Sequence, residues 1–245
     1  MSKLSEKIRQ ASRPQSQGLG FGASRGAISA TMVLAATARD AGDVAALVRA
    51  GADVVVIGSR ESQTRAVPSG EATAPLGAWI TGSGGADAAA YKSAGFDFVV
   101  FDPDRVPATA LLEENVGYVM RLPGDLGDAE LRTLEGFQLD AIDVGAIEIA
   151  LTVRRQIELR RLASMTKKPL MASVRPDISV AELRALRETN VAVITAGRSQ
   201  DVERLRNTID ALPPRSHRKD GEDRPTPLVP RSVSAGDELE EEDDD

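Results

Sequence analysis

Eight short apolar segments, at 32–38, 53–59, 76–81, 96–102, 116–122, 139–144, 169–174 and 191–196, recur along the chain. They are spaced by roughly twenty to thirty residues, and a polar or helix-forming stretch follows each one. Runs rich in β-branched residues with no polar alternation suit strands buried on both faces, which is the condition of a parallel sheet covered by helices. Helical period and caps predict helices over 43–49, 86–93, 107–115, 128–134, 152–165, 179–189 and 199–212, with Ser179 and Glu182 forming a capping box. Eight consecutive βα units are the number that closes a (β/α)8 barrel. The sequence therefore predicts an α/β chain with one such barrel over 31–213.

A repeated phrase supports that reading. Ala50-Gly51-Ala52-Asp53-Val54-Val55-Val56 returns as Ala94-Gly95-Phe96-Asp97-Phe98-Val99-Val100, two βα units further on. In each copy the glycine is expected to end a helix in the left-handed conformation before the chain enters an even-numbered strand. Gly136 and Asn190 stand in the matching places before the sixth and eighth strands. Ahead of the barrel, Leu4, Ile8 and Ala11 mark a short amphipathic helix over 2–11, and a glycine-rich stretch around Gly18, Gly20, Gly22 and Gly26 follows it. A dinucleotide-binding loop must leave a strand and open a helix. This stretch leads into a strand instead, and is read as an irregular segment at the barrel floor. The connection 61–75 holds two prolines and a glycine with little helical period, which marks a surface insertion or a lid.

Composition narrows the function classes. With 245 residues, 42% hydrophobic and 27% charged, the chain can build one substantial core. It has no cysteine, so disulfides and thiolate chemistry are excluded, and a reducing cytoplasm suits it. No apolar run approaches a membrane span, and the first residues lack a secretory signal's apolar core. Residues 214–245 carry five basic and eleven acidic side chains of a chain whose net charge is −7, so the body is nearly neutral. That acidic tail is expected to be disordered; most such tails only solubilise, and a minority bind a basic protein partner. A neutral body with 3% aromatic residues offers no nucleic-acid surface.

Candidate chemistry is sought at the C-terminal strand ends, where barrel enzymes carry their active groups. The only histidine, His217, lies in the tail, and every lysine sits away from those ends. Arginine and aspartate remain. Asp102 and Asp143 end the fourth and sixth strands, where paired carboxylates could divide acid and base roles or hold Mg²⁺. Arg121, Arg175 and Arg198, with Ser173, Gly197 and Ser199, would suit an anionic ligand, since guanidinium forks match carboxylate and phosphate. An arginine pairing with a neighbouring aspartate to close a strand end is the competing structural role.

The turn Thr195-Ala196-Gly197-Arg198-Ser199 resembles the Gly-Arg turn of phosphate-binding and flavin-binding TIM barrels. That resemblance implies a phosphate held after the seventh and eighth strands. Ser173-Val174-Arg175-Pro176-Asp177 departs from it, because the paired glycines are absent and Asp177 repels an anion. Three functions follow, the first two on an equal footing. The first is an enzyme acting on a small phosphorylated or carboxylated metabolite. The second is a non-catalytic barrel that binds partners through its acidic tail or the 61–75 loop. A flavin-dependent oxidoreductase using FMN comes third, weakened by the missing glycines and the few aromatic residues.

Overall fold

A computed structural model describes residues 2–13, 31–59, 73–80, 88–124, 126–147 and 150–214. The glycine-rich stretch, the body of the 61–75 connection and the acidic tail lie outside the described residues. The chain forms a (β/α)8 barrel. Strands β1 (Val33–Ala38), β2 (Val54–Ile57), β3 (Leu76–Ile80), β4 (Phe98–Phe101), β5 (Gly117–Arg121), β6 (Ala141–Ile147), β7 (Leu170–Val174) and β8 (Val191–Ala196) pair in chain order, all parallel, and β8 closes onto β1. Each falls inside or beside a predicted apolar segment.

Helix α1 (Lys3–Ser12) precedes the barrel and plugs its floor. Its apolar stripe, Leu4, Ile8 and Ala11, packs with inward-facing Val33, Val54, Phe98 and Val193. Six helices, α2 (Val44–Arg49), α3 (Ala88–Ser93), α4 (Asp128–Thr133), α5 (Val153–Thr166), α6 (Val180–Glu188) and α7 (Ser199–Asp210), cover the outside. Between β4 and β5 the helix predicted over 107–115 is replaced by a 3-10 stretch, Ala108–Leu112. The Tyr118 hydroxyl sits 2.9 Å from the Ala110 carbonyl and 3.0 Å from that of Glu113, occupying acceptors that a continued α-helix would use.

The helix stops come out partly as expected. Gly51 (φ 103°), Gly95 (φ 97°) and Asn190 (φ 68°) are left-handed. Gly136 is not. It ends the 3-10 turn Leu134–Gly136, while Asn115 (φ 65°) and Lys167 (φ 55°) provide the left-handed residues before β5 and β7.

The repeated aspartate of the Gly-Ala-Asp and Gly-Phe-Asp phrases stitches strands together. Asp53 donates its N–H to the Leu34 carbonyl and accepts the Leu34 N–H on Oδ2, both at 2.8 Å. Asp97 does the same to Leu76, at 2.7 and 3.0 Å. Asp140 repeats the backbone bond onto Tyr118 at 2.8 Å, so three even-numbered strands are clipped to the preceding odd strand at the floor. Different partners complete the three clips: Arg206 on Asp53, Lys3 on Asp97 and the Ser2 hydroxyl on Asp140. Burial pushes the Asp140 carboxyl up, against the Ser2 and Tyr118 donors that favour its ionised form.

Candidate functional site

The barrel interior is built in layers, and these decide which side chains share the mouth. Around a closed eight-stranded barrel each strand is displaced by about one residue against its neighbour, so inward side chains from alternate strands reach the same height. Followed through the observed registers, Val54, Phe98, Ala141 and Val193 form a low layer, and Ala35, Gly77, Val119 and Met171 lie above it. Gly77 is required here, because a Cβ at that position would run into the Phe98 ring. Val56, Val100, Asp143 and Thr195 come next. Above them stand Thr37, Trp79, Arg121 and Ser173, one from each odd strand.

The lip of the barrel is formed by the residues that follow on the even strands: Gly58, Asp102, Ala146, which a bulge in β6 brings opposite Ser173, and Gly197. Two of these four positions carry no side chain, and Ala146 adds only a methyl. The arrangement leaves a well whose base is Thr37, Trp79, Arg121 and Ser173, and whose one polar lip side chain is Asp102.

Arg121 is the fixed cation of this well. Its Nη1 donates to Asp143 Oδ2 at 2.8 Å, and the neighbouring registers place the two residues side by side. Asp143 is buried, and its other oxygen accepts the Gly145 N–H at 2.9 Å. Gly145 is left-handed (φ 81°), and a Cβ there would stand 2.5 Å from Arg121 Nη2. Glycine at 145 thus permits both the backbone turn that reaches Asp143 and the close approach of the guanidinium. The Arg121 side chain keeps 35% of its surface exposed towards the mouth. Asp102 is 3% exposed, with Oδ1 accepting the Asp104 N–H at 3.3 Å and Oδ2 lying 3.8 Å from Arg105 Nε.

The β7 and β8 ends contribute more loosely. Arg175 lies 3.7 Å from Asp177 and 3.9 Å from Glu182, distances too long for hydrogen bonds. Glu182 belongs to the α6 capping box, where the Ser179 N–H and hydroxyl hold its carboxyl below the usual range. Arg198 caps α7 without a side-chain bond, is largely exposed, and reaches Asp201 at 3.4 Å. Open space surrounds Gly197, and Ser199 begins α7.

The predicted residues therefore divide. Asp102, Asp143, Arg121 and Ser173 meet in the well, whereas Arg175, Gly197, Arg198 and Ser199 stand on its β7–β8 rim. Among the described residues no three His, Cys, Asp or Glu side chains cluster as a metal site would require. Trp79 and Gly145 were not singled out by the sequence. The inward phase of Gly77 and Trp79 on one strand is the signal that identifies the first. A cavity of about 230 Å³ outside the barrel, walled by Phe101, Val106, Leu111, Met120 and Leu134, is apolar and offers no reactive group. Among the described residues no helix is long and apolar enough to cross a membrane.

No family model and no curated protein matches the chain. Solved structures do. KGPDC from Streptococcus mutans superposes with a TM-score of 0.54 at 13% identity, over 72% of this chain and 96% of that one. The 3-keto-L-gulonate-6-phosphate decarboxylase from Vibrio cholerae gives 0.53 at 14%, over 75% and 99%. Thiamine phosphate pyrophosphorylase from Pyrococcus furiosus gives 0.50 at 15%, over 73% and 95%. At such identities the likeness is one of fold.

Proposed function

We propose that this barrel is an enzyme acting on a small phosphorylated or carboxylated metabolite bound at its C-terminal mouth. The observation that carries the reading is Arg121, held in the well by Asp143 and pressed against the Cα of Gly145. A guanidinium whose orientation is set in advance loses little freedom on gripping an oxyanion, and its planar donors match carboxylate or phosphate oxygens. Ser173 and Thr195 add hydroxyl donors on the same side. Gly197, Arg198, Ser199 and the first turn of α7 extend that side to the rim, with Arg175 beside it.

In this reading Asp143 orients Arg121, since both its oxygens are engaged. Asp102 is then the carboxylate for general-base work, or the single protein ligand of a Mg²⁺ that keeps its waters and shares substrate oxygens. Phosphate in the names of two barrels of the same fold supports the reading.

A second reading, a barrel that binds its ligand without reaction, is favoured by Asp102 being the one ionisable side chain among the described lip residues. Thermal-shift measurements with inorganic phosphate, sugar phosphates and Mg²⁺ test the proposal, because binding to the folded state raises its melting temperature. A shift abolished in Arg121→Ala is expected. A flat response to every anion contradicts the site. Binding without turnover, unchanged by Asp102→Asn, selects the second reading.

A further inference from the structure

The mouth is chemically divided. Arg121, Asp143, Ser173, Thr195 and Thr37 run along β5 to β8 and onto β1. Among the described residues of β2 to β4 the facing side chains are Val56 and Val100, with Trp79 at the next height, no side chain at Gly58 and the Asp102 carboxylate at the β4 lip. Trp79 is half-buried and packs against the inner-barrel cluster, so part of the indole remains on the well side. It is the only tryptophan of the chain and the one large apolar group at that height. A ligand whose hydroxyls surround it would leave those turned towards Val56, Val100 and Trp79 unmatched, at a cost in binding. A ligand with an apolar ring at one end and an anion at the other matches both sectors.

We propose that Trp79 is the specificity-determining residue of the well and that its ligand is a phosphate or carboxylate borne by an aromatic or heteroaromatic ring. The inference rests on the anion site proposed above, and it adds the class of molecule that bears the anion. Arg121 takes the oxyanion, and the indole takes the ring by stacking, a contact that acyclic phosphates cannot make.

Calorimetric titration with phenyl phosphate, glycerol 3-phosphate, ribose 5-phosphate and inorganic phosphate tests it. Phenyl phosphate is expected to bind about tenfold more tightly than glycerol 3-phosphate, the size of effect that one aromatic contact provides. Trp79→Leu should bring that ratio close to one, and Trp79→Phe should restore most of it. Equal affinities in the unaltered protein, or a ratio that survives in Trp79→Leu, overturn the proposal. Preference for ribose 5-phosphate over phenyl phosphate overturns it too. If the leucine variant does not fold, the unaltered protein and Trp79→Phe decide. Inorganic phosphate separates the two readings: phosphates that bind without ring preference defeat this inference alone, and no binding at all defeats the anion site as well.

Discussion

Aspartate does opposite work at the two ends of this barrel. At the floor Asp53, Asp97 and Asp140 accept bonds that clip one strand to the next, and Arg206, Lys3 and Ser2 complete them. At the mouth Asp143 holds Arg121, and Asp102 stands on a lip otherwise made of glycine and alanine. Below, α1 closes the end with Leu4, Ile8 and Ala11 and leaves no well. Above, three lip positions are glycine or alanine, so the chain stops filling space. The difference locates function: a floor packed and clipped together serves stability, while a cation held ready beside empty space serves binding.

The largest effect should come from the low layers. Phe98→Ala removes a ring that spans the space left by Gly77 and Gly117, and should cost about 3–5 kcal/mol in chemical denaturation. Anion-induced stabilisation should persist as long as the variant folds; its loss would tie the mouth to the floor and break the contrast. A floor clip comes next. Asp97→Ala strands the Leu76 N–H and should cost about 1–3 kcal/mol, again without altering anion affinity. At the mouth the sign of the contrast reverses. Arg121→Ala leaves the buried Asp143 without its cation, costing stability of about 1–3 kcal/mol and, unlike the floor variants, abolishing anion binding.

Two carboxyls sharpen the comparison through pH. Asp140 is raised in the folded chain, so folding takes up protons and stability falls as pH climbs above the ordinary carboxylate range. Asp140→Asn should flatten that fall in urea melts run across pH. Glu182 is lowered, so its contribution is present above the ordinary range and fades as pH drops through it. Glu182→Gln should therefore narrow the stability difference between neutral and acid solution, by a small amount because the group is largely solvated. Asp102→Asn keeps an acceptor for the Asp104 N–H but loses a buried charge, and is expected to cost about 1 kcal/mol. It should remove turnover once a substrate is found.

Strand positions were legible because each apolar run is longer than chance and separated by helix signals, and the Gly-Ala-Asp repeat marked the even strands. Its glycine was read correctly, but its aspartate was passed over, because a strand clip is a contact between chain segments that no local pattern reveals. Tyr118 likewise reaches back to Ala110 and Glu113 and turns a helical period into a 3-10 stretch. At the mouth the residue types were visible and the pairing was not. Arg121 and Asp143 meet because adjacent strands are in that register, and Gly145 matters because of one close approach. Trp79 became informative only when stagger placed it level with Arg121.

The most direct test uses that tryptophan. Inorganic phosphate titrated into the protein, followed by the fluorescence of its single indole, should give a saturable change that Arg121→Ala abolishes and Asp97→Asn preserves. A flat signal accompanied by no thermal stabilisation, or a response that survives in Arg121→Ala, would contradict an anion-binding mouth.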